Sequence, residues 1–379
     1  MQPEEMYSPE PDGEPELETE IRYIDDAEAE LLLEKPKRKP KSKRKTNEDP
    51  RGGHRVLLVG IVAGALYGLV ARLLMGSNPY HVPQMPIFDN NTMTYGFLVF
   101  VPFAIGVLSV ALTPRGFRTR YGYAALMAVL TTATWLFVVG LIALEALICL
   151  VMAIPVVLIT ATLGALLTCW VFKQVERGQF GGRTRNTFIM VVILAPYVIA
   201  PSESNSQPPV SIREVDTQVT IHASVETVWQ NMLTIKDIQP DELHFSIPEL
   251  IGAPRPIEAT LNHEGVGGVR TTQLTNGVAF AGVITGWQEF KTITYIMRPE
   301  VGRNTQLPYD QIGGQYFSMI DGAYILEPIG NGDVILHLNS RHRLSTHFNA
   351  YGGLWTDFII RDLQEQVLGV IKERSEKGL

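Results

Sequence analysis

Cysteine is scarce in this chain. Among 379 residues only Cys149 and Cys169 occur, and both lie within long apolar stretches. There is no Cys-x-x-Cys pair, and His222 and His263 lack the cysteine or carboxylate cluster of a metal site. These absences exclude a disulfide framework and a structural zinc site, so we expect no bound metal.

Nucleotide-binding and nucleophile motifs are also missing. The sequence has no P-loop, nucleophile elbow or dinucleotide fingerprint, because Gly265-x-Gly267-Gly268 is too compact and opens a strand. There is no excess of basic residues either: 32 Lys and Arg stand against 39 Asp and Glu, for a net charge of −7. We therefore expect no cofactor and no nucleic-acid partner.

The first residues have an uneven charge distribution. Arg22 is the only basic residue in 1–34, whereas 35–45 consists almost entirely of Lys, Arg and Pro. Such a composition buries too little apolar surface to fold, which predicts a disordered tail over 1–54. Because the basic run precedes an apolar stretch, anchoring to anionic lipid headgroups is the alternative role for this tail.

Long apolar stretches dominate the next part of the chain. They are Val56–Met75, Tyr95–Leu112, Tyr123–Leu144, Ala146–Phe172 and Thr187–Ala200. A membrane span needs about 20 apolar residues, a length that the first four approach or exceed, whereas the fifth is short and contains Pro196. The pattern predicts a transmembrane region of four to five helices over 55–201, in a multi-pass membrane protein with the lipid bilayer as a partner.

Basic loops predict the orientation of these helices. The run at 35–45 and the loops at 115–120 and 173–185 are basic, whereas the loop 76–94 has no Lys or Arg. The positive-inside rule places the basic segments, and with them the N-terminus, in the cytoplasm. If the fifth stretch spans the membrane, the C-terminal domain is extracytoplasmic, which we favour. If it lies on the surface, that domain is cytoplasmic.

Few features within the apolar stretches suggest transport. Arg72 and Glu145 lie near the ends of stretches, and we expect Arg72 to extend its charged group to the membrane surface. Gly60, Gly64 and Gly68 share one helix face at GxxxG spacing. That spacing predicts close helix packing, either within the chain or in a homo-oligomer formed through the transmembrane helices.

The C-terminal part follows a polar, proline-containing linker at 202–210. Alternating apolar residues and turn signals predict strands, with Ser224 capping a short helix at Val225–Leu233. The predicted strands are Val215–Ala223, Ile257–Asn262, Val269–Leu274, Val278–Thr285, Thr292–Arg298, Phe317–Leu326 and Val334–Leu344. A long helix follows at Asn349–Arg374, with a predicted buried stripe of Trp355, Ile359, Leu363, Val367 and Val370.

This order of elements, with the Ser224-x-x-x-Val228-Trp229 helix start, resembles the START and polyketide-cyclase-like (SRPBCC) superfamily. The stretches 251–256, 264–270 and 354–357 resemble a bacterial branch of it, which implies that the multi-pass protein lies in the bacterial inner membrane. The resemblance covers 211–375 and implies an α+β helix-grip domain, in which a curved antiparallel sheet wraps a long C-terminal helix around a cavity for an apolar ligand. The superfamily includes lipid carriers, cyclases and hormone receptors, so the resemblance does not imply one activity.

Two polar residues fall on apolar strand faces. Asp321 shares a face with Phe317 and Ala323, and His342 shares one with Leu338 and Leu344. A regular two-residue turn at Asn331-Gly332 would place Asp321 directly opposite His342. The pair then forms either an acid/base or ligand-binding site at the cavity end, or a structural hydrogen bond.

Four further residues are candidates for the cavity wall. Arg270, after the glycine-rich turn, is placed either to bind a carboxylate headgroup or to lie exposed at a strand end. Tyr295, Tyr351 and Trp355 are either cavity walls or ordinary core residues.

Three functions remain compatible with the sequence. The favoured one is a membrane-anchored binding domain for a hydrophobic or lipid-like small molecule. The second is a cyclase- or hydrolase-like enzyme that uses Asp321 and His342 in the same cavity. The third is a structural or sensory membrane component whose domain binds another protein.

Overall fold

The computed structural model describes residues 50–76, 93–114, 116–204, 206–301, 313–330 and 332–378. The predicted tail, as far as Asp49, and most of the loop 76–94 lie outside these residues. The described residues begin with a helical region and continue into a domain built on one sheet.

The helical region contains helices α1 (Pro50–Met75), α2 (Val101–Ala111), α3 (Tyr121–Leu141), α4 (Leu147–Glu176) and α5 (Gly182–Ser204). A single π-helical turn, Gly96–Phe100, leads directly into α2. Four of these helices, α1, α3, α4 and α5, are long and apolar enough to cross a membrane.

The fifth apolar stretch was predicted to be short for a membrane span, and the structure shows that this was wrong. The fifth stretch forms a span-length helix, Gly182–Glu203, which continues through Pro196 and Pro201 and gains a turn from the polar residues before Thr187. The second stretch is the shorter helix, Gly96–Ala111. At about 1.5 Å of rise per residue it measures roughly 24 Å, against ~30 Å for a bilayer core.

The three glycines of α1 face other helices of the same chain. A Cβ atom at Gly64 would lie 2.6 Å from Thr131 Cγ2 of α3, and one at Gly60 would lie 2.9 Å from the Ser109 carbonyl oxygen of α2. Gly68 packs against Trp135 in the same way. This face is therefore used for packing within the chain. A homo-oligomer formed through the transmembrane helices stays a prediction.

Arg72 does not extend to a surface as expected. Its side chain is 4% exposed, and its Nε donates to Glu145 Oε1 at 2.7 Å. A second nitrogen donates to the Leu144 carbonyl oxygen at 2.6 Å. The carboxylate between α3 and α4 is close enough to hold the guanidinium inside the bundle, because a buried charge is tolerated when it is paired.

The second part of the chain folds into a seven-stranded antiparallel sheet with the order β1-β7-β6-β5-β4-β3-β2. The strands are β1 (Val210–Ile221), β2 (Pro256–Leu261), β3 (Val269–Leu274), β4 (Val278–Gln288), β5 (Thr292–Val301), β6 (Phe317–Gly330) and β7 (Asp333–Ser345). The helices are α6 (Val225–Leu233), the single turn α7 (Ile247–Leu250) and α8 (Asn349–Lys377). The curved sheet packs against α8, which confirms the predicted helix-grip class.

Local sequence signals explain much of this domain. Ser224 accepts a hydrogen bond from the Thr227 amide and so caps the start of α6. The apolar face of this amphipathic helix is buried. Trp229, Ile221, Leu336, Leu368 and Ile371 are among its fully buried side chains. They form the core at the end of the sheet where α6 and the C-terminal half of α8 meet.

The predicted buried stripe of α8 is only partly correct. Val367 and Val370 are buried, but Trp355, Ile359 and Leu363 are half-buried. Ile359 and Leu363 border an open space, and Leu363 also packs against buried side chains of β3 and β4. The helix thus has a packed C-terminal half, and its middle turns, from Ile359 to Val367, cover a cavity.

The domain contacts the helical region through two tyrosines. The Tyr95 hydroxyl, just before the π-helical turn, donates to the His347 carbonyl oxygen at 2.9 Å. The Tyr351 hydroxyl at the start of α8 donates to the Met152 carbonyl oxygen of α4 at 2.6 Å. The first turn of α8 therefore lies beside the starts of α2 and α4.

Candidate functional site

A cavity of about 140 Å³ lies between the sheet and α8. Its wall is contributed by β2–β7, by α8 and by the segments before β2. Most of the lining is apolar: Ile235, Ile238, Leu274, Phe280, Met297, Phe317, Met319, Leu338, Ile360 and Val367. An engineered apolar cavity of about 150 Å³ is known to bind benzene, so this space has the size for one ring or a short aliphatic group.

Arg270 is the cationic residue of this wall. It lies on β3, is 8% exposed, and donates from Nη1 to Thr272 Oγ1 at 3.1 Å. Nη2 donates to the Met232 carbonyl oxygen at 3.3 Å, and the guanidinium lies 5.1 Å from the centre of the Tyr324 ring. The alternative of an exposed strand-end arginine is therefore wrong, because β3 turns this position toward α8 and away from water.

Tyr295 also lines the cavity, from β5. It is 5% exposed, and burial raises the pKa of its hydroxyl above the ordinary value, with the neighbouring Tyr324 adding to the shift. Two glycines make room for the ring: a Cβ at Gly322, its cross-strand partner, would lie 2.6 Å from the hydroxyl, and one at Gly282 would lie 3.1 Å from Cδ2 of the ring. The phenol is thus a neutral hydrogen-bonding group in the wall.

A small polar cluster completes the lining. Gln364 of α8 donates to Ser340 Oγ at 3.0 Å and accepts from Thr217 Oγ1 at 2.7 Å. Gln364 and Ser340 are buried, and Ser340 interacts with the Tyr295 hydroxyl. Sequence reasoning missed Gln364, although a glutamine one turn after Ile360 and just before Val367 in an apolar stripe is a signal that could have revealed it.

Asp321 and His342 do not face each other, which corrects the predicted pair. The hairpin has two register shifts, one between Pro328 and Gly330 and one between Met319 and Asp321. As a result Met319 is opposite His342, and Asp321 is opposite Arg341. The predicted register assumed a regular ladder, whereas each bulge adds one residue to β6 and moves the pairing by one position.

The two residues consequently have different environments. Asp321 lies on the outer face of the sheet and accepts a hydrogen bond from Arg341 Nε at 2.8 Å. The His342 side chain is fully buried beyond the end of the cavity and does not line it. The hypothesis of an enzyme that uses Asp321 and His342 in the cavity is therefore wrong, because neither side chain lines the cavity. Asp321 lies on the outer face of the sheet, and His342 is buried beyond the end of the cavity.

His342 belongs to a polar cluster at the start of α8. Its Nε2 lies 3.0 Å from Thr356 Oγ1 and 3.6 Å from Asp357 Oδ1. Arg213 Nε donates to Asp357 Oδ1 at 2.9 Å and lowers the pKa of that carboxyl. Burial lowers the pKa of His342, with Asp357 opposing that shift. The cluster joins β1, β7 and α8, and so holds the helix over the cavity.

The two remaining candidates do not line the cavity. Tyr351 donates to the helical region as described above. The Trp355 ring is half-buried and packs edge-on against Phe358, with ring centres 6.5 Å apart. Of the six predicted site residues, the structure brings Arg270 and Tyr295 together in the cavity wall and places the other four elsewhere.

Comparisons with known proteins give structural likenesses only. No protein-family model and no curated protein matches the sequence. Among solved structures, truncated norcoclaurine synthase from Thalictrum flavum is 12% identical with a TM-score of 0.28, covering 44% of this chain and 98% of that one.

Two further structures are similar to the same degree. An aromatase/cyclase from Streptomyces sp. R1128 is 16% identical with a TM-score of 0.27, covering 43% of this chain and 96% of that one. A conserved protein of unknown function from Enterococcus faecalis is 14% identical with a TM-score of 0.25, covering 47% of this chain and 81% of that one. These values are too low to support an inference about activity, so the proposed function rests on the cavity itself.

Proposed function

We propose that this chain is a membrane-anchored protein whose helix-grip domain binds a small hydrophobic molecule. The observation that carries the proposal is the cavity of about 140 Å³ under α8, with apolar walls and a few convergent polar groups. That combination is typical of small-molecule sites, although this one is smaller than most. Its volume favours a compact ligand, or one short chain of a lipid, over a whole lipid.

The surface of the helical region supports the membrane anchor. Large apolar side chains on the four long helices are more than half exposed: Leu58 59%, Phe137 69%, Leu141 72%, Ile159 60%, Val191 60% and Val198 66%. In water such a surface would cause aggregation, whereas in a bilayer it faces lipid tails. A ligand that partitions into the membrane would then be concentrated next to the domain.

The ends of the helices support an extracytoplasmic domain. The starts of α2 and α4 contact the domain, and the Gly96 amide donates to Glu203 near the end of α5 at 2.8 Å. The basic loops meet at the opposite end, where Arg118 pairs with Glu176 at 3.5 Å. Since basic loops remain in the cytoplasm, the domain is on the other side of the membrane.

Cysteine labelling tests this orientation. With Val266→Cys in the exposed turn before β3, we expect a membrane-impermeant maleimide to label the chain in intact spheroplasts. The matched variant Gln179→Cys, in the exposed loop after α4, should react only after permeabilisation. Both reporters are compared with the unchanged chain, whose Cys149 and Cys169 lie in the helical region. Labelling of Gln179→Cys but not Val266→Cys in intact spheroplasts would reverse the orientation.

A cavity-filling substitution tests ligand binding. Ala259 of β2 lines the cavity and is 3% exposed, so the ring of Ala259→Phe should occupy the space. The matched control is Ala323→Phe on the outer face of β6 between Asp321 and Ile325. We expect calorimetric titration of the full chain in nanodiscs with benzyl alcohol, a water-soluble single-ring probe, to show saturable binding. The control should bind equally, and Ala259→Phe should not bind.

Empty nanodiscs provide the baseline for this titration, because benzyl alcohol also partitions into lipid. Equal binding by Ala259→Phe and by the unchanged chain would contradict the proposal, since the probe would then occupy another place. Circular dichroism and size-exclusion chromatography of both phenylalanine variants check that a loss of binding does not reflect loss of the fold.

A further inference from the structure

Arg270 is a buried cation with no acidic partner in the part of the chain that the structure describes. Among the residues that the structure describes, no carboxylate lies within ion-pair distance of its guanidinium. Glu258, the acidic residue of the same cavity wall, lies on β2 and does not pair with it. The Nε atom is buried and has no hydrogen-bond partner in the described part of the chain.

Such an arrangement is unfavourable without a ligand. An arginine remains charged under ordinary conditions, and burying its charge unpaired is costly. Thr272 and the Met232 carbonyl satisfy one hydrogen each on two nitrogens, and the Tyr324 ring faces the cation. The N–H group of Nε and the second hydrogens of the two Nη atoms can therefore donate to a ligand. These contacts hold the planar group in one orientation at the cavity wall, which is the preorganisation that an anion site needs.

We infer that the ligand of this cavity is a compact hydrophobic carboxylate whose carboxylate group pairs with Arg270. The inference rests on the proposed function and names the chemical class of its ligand. A guanidinium donates two parallel hydrogen bonds to a carboxylate, and such charge-assisted bonds strengthen away from water. The apolar walls and the cavity volume of about 140 Å³ require the remainder of the molecule to be one ring or a short branched chain.

The neutral groups nearby are compatible with this head group. The Tyr295 hydroxyl is held neutral by burial and interacts with Ser340, while Ser340 also accepts from Gln364. None of these groups is a cation, so Arg270 supplies the positive charge that pairs with the carboxylate of the ligand. Glu258 in the wall would disfavour a carboxylate placed beside it, which restricts the head group to the β3 side of the cavity.

A pair of probes of nearly equal shape tests the inference: benzoate and benzyl alcohol, titrated into the full chain in nanodiscs. The unchanged chain should bind benzoate more tightly, by roughly tenfold or more, the range for hydrogen bonds to a charged group. Arg270→Met should lose that preference and bind benzyl alcohol at least as well. Arg270→Lys keeps the charge without the planar fork, and should keep a smaller preference for benzoate.

Unfolding without ligand separates a binding role from a structural role. If Arg270 serves an anion, Arg270→Met removes an unpaired buried charge, and its midpoint of thermal unfolding should be equal to or above that of the unchanged chain. A marked fall of the midpoint, together with unchanged preference for benzoate, would mean that Arg270 only holds β3 to Met232.

The outcomes distinguish the two proposals. Binding of benzyl alcohol that Ala259→Phe abolishes, with no preference for benzoate, would overturn the carboxylate inference and keep the cavity. Binding of neither probe to the unchanged chain would overturn both. Benzoate binding that persists undiminished in Arg270→Met would show that the acid binds elsewhere, and would also overturn the inference.

Discussion

Replacement of Gly106 by alanine is expected to disrupt the helical region. Gly106 of α2 faces α4, and a Cβ atom built there would lie 1.9 Å from the Ala161 carbonyl oxygen. Gly164 of α4 approaches the Phe103 carbonyl oxygen in the reciprocal way, at 2.2 Å. The two backbones are thus nearly in contact, and a methyl group cannot be accommodated by the rotation of a side chain.

The expected cost follows from this contact. Overpacking a well-packed interior costs about 1–3 kcal/mol, and we expect Gly106→Ala to exceed the upper end because backbone atoms of both helices must separate. Alanine favours a helix by roughly 1 kcal/mol over glycine, which offsets only part of the cost. The midpoint of unfolding of the full chain, followed in detergent by size-exclusion chromatography after heating, should therefore fall strongly.

Gly122→Ala is the matched control for this substitution. Gly122 lies in the first turn of α3, and a Cβ atom there meets no other atom within 4 Å. The same chemical change should leave the midpoint unchanged or raise it slightly. Equal midpoints for Gly106→Ala and Gly122→Ala would mean that α2 and α4 do not pack as closely as described.

Arg72→Met is expected to destabilise the same region by about 3–5 kcal/mol, because removal of one partner leaves a buried charge uncompensated. The remaining charge is that of Glu145, whose Oε1 lies 2.7 Å from Arg72 Nε. The Leu144 carbonyl oxygen also loses its hydrogen bond from the guanidinium. The measurement is the midpoint of unfolding in a titration of the full chain from mild detergent into SDS.

A double substitution controls for the lost packing volume of Arg72. Arg72→Met combined with Glu145→Leu removes both charges, and we expect it to recover most of the lost stability, since apolar replacements of a buried pair are often neutral. Glu145→Leu alone should be destabilising, because it removes the carboxylate that pairs with the buried arginine. Additive effects of the two single changes would show that the ion pair does not couple these positions.

The packing of α1 could be predicted from the sequence only in part. Gly60, Gly64 and Gly68 at intervals of four predicted a close helix contact but not its partner. Only the arrangement of α2 and α3 decided that Ser109 and Thr131 of the same chain fill that face. Small residues at this spacing indicate that two helix backbones approach closely, but they do not identify the partner helix.

The residues of the candidate site were also predicted only in part. Arg270 was selected for its place after the glycine-rich turn and Tyr295 as one of three aromatic candidates, and both line the cavity. The predicted Asp321–His342 pair was wrong because it depended on counting residues from a turn. Two bulges in β6 changed the count, and bulges depend on how a strand bends against its neighbours rather than on its own pattern.

The sequence by itself determined the division into an apolar helical region and a domain of strands followed by a long helix, because hydrophobic period and turn residues are local properties of the chain. The helix-grip class was what the resemblance implied. It also determined the residue types available to the site. The tertiary structure decided that Arg270 is buried with no acidic partner among the described residues, that His342 is sealed beside Thr356, and that the middle of α8 covers an open space. These are properties of distances between residues far apart in sequence, which only the packed chain sets.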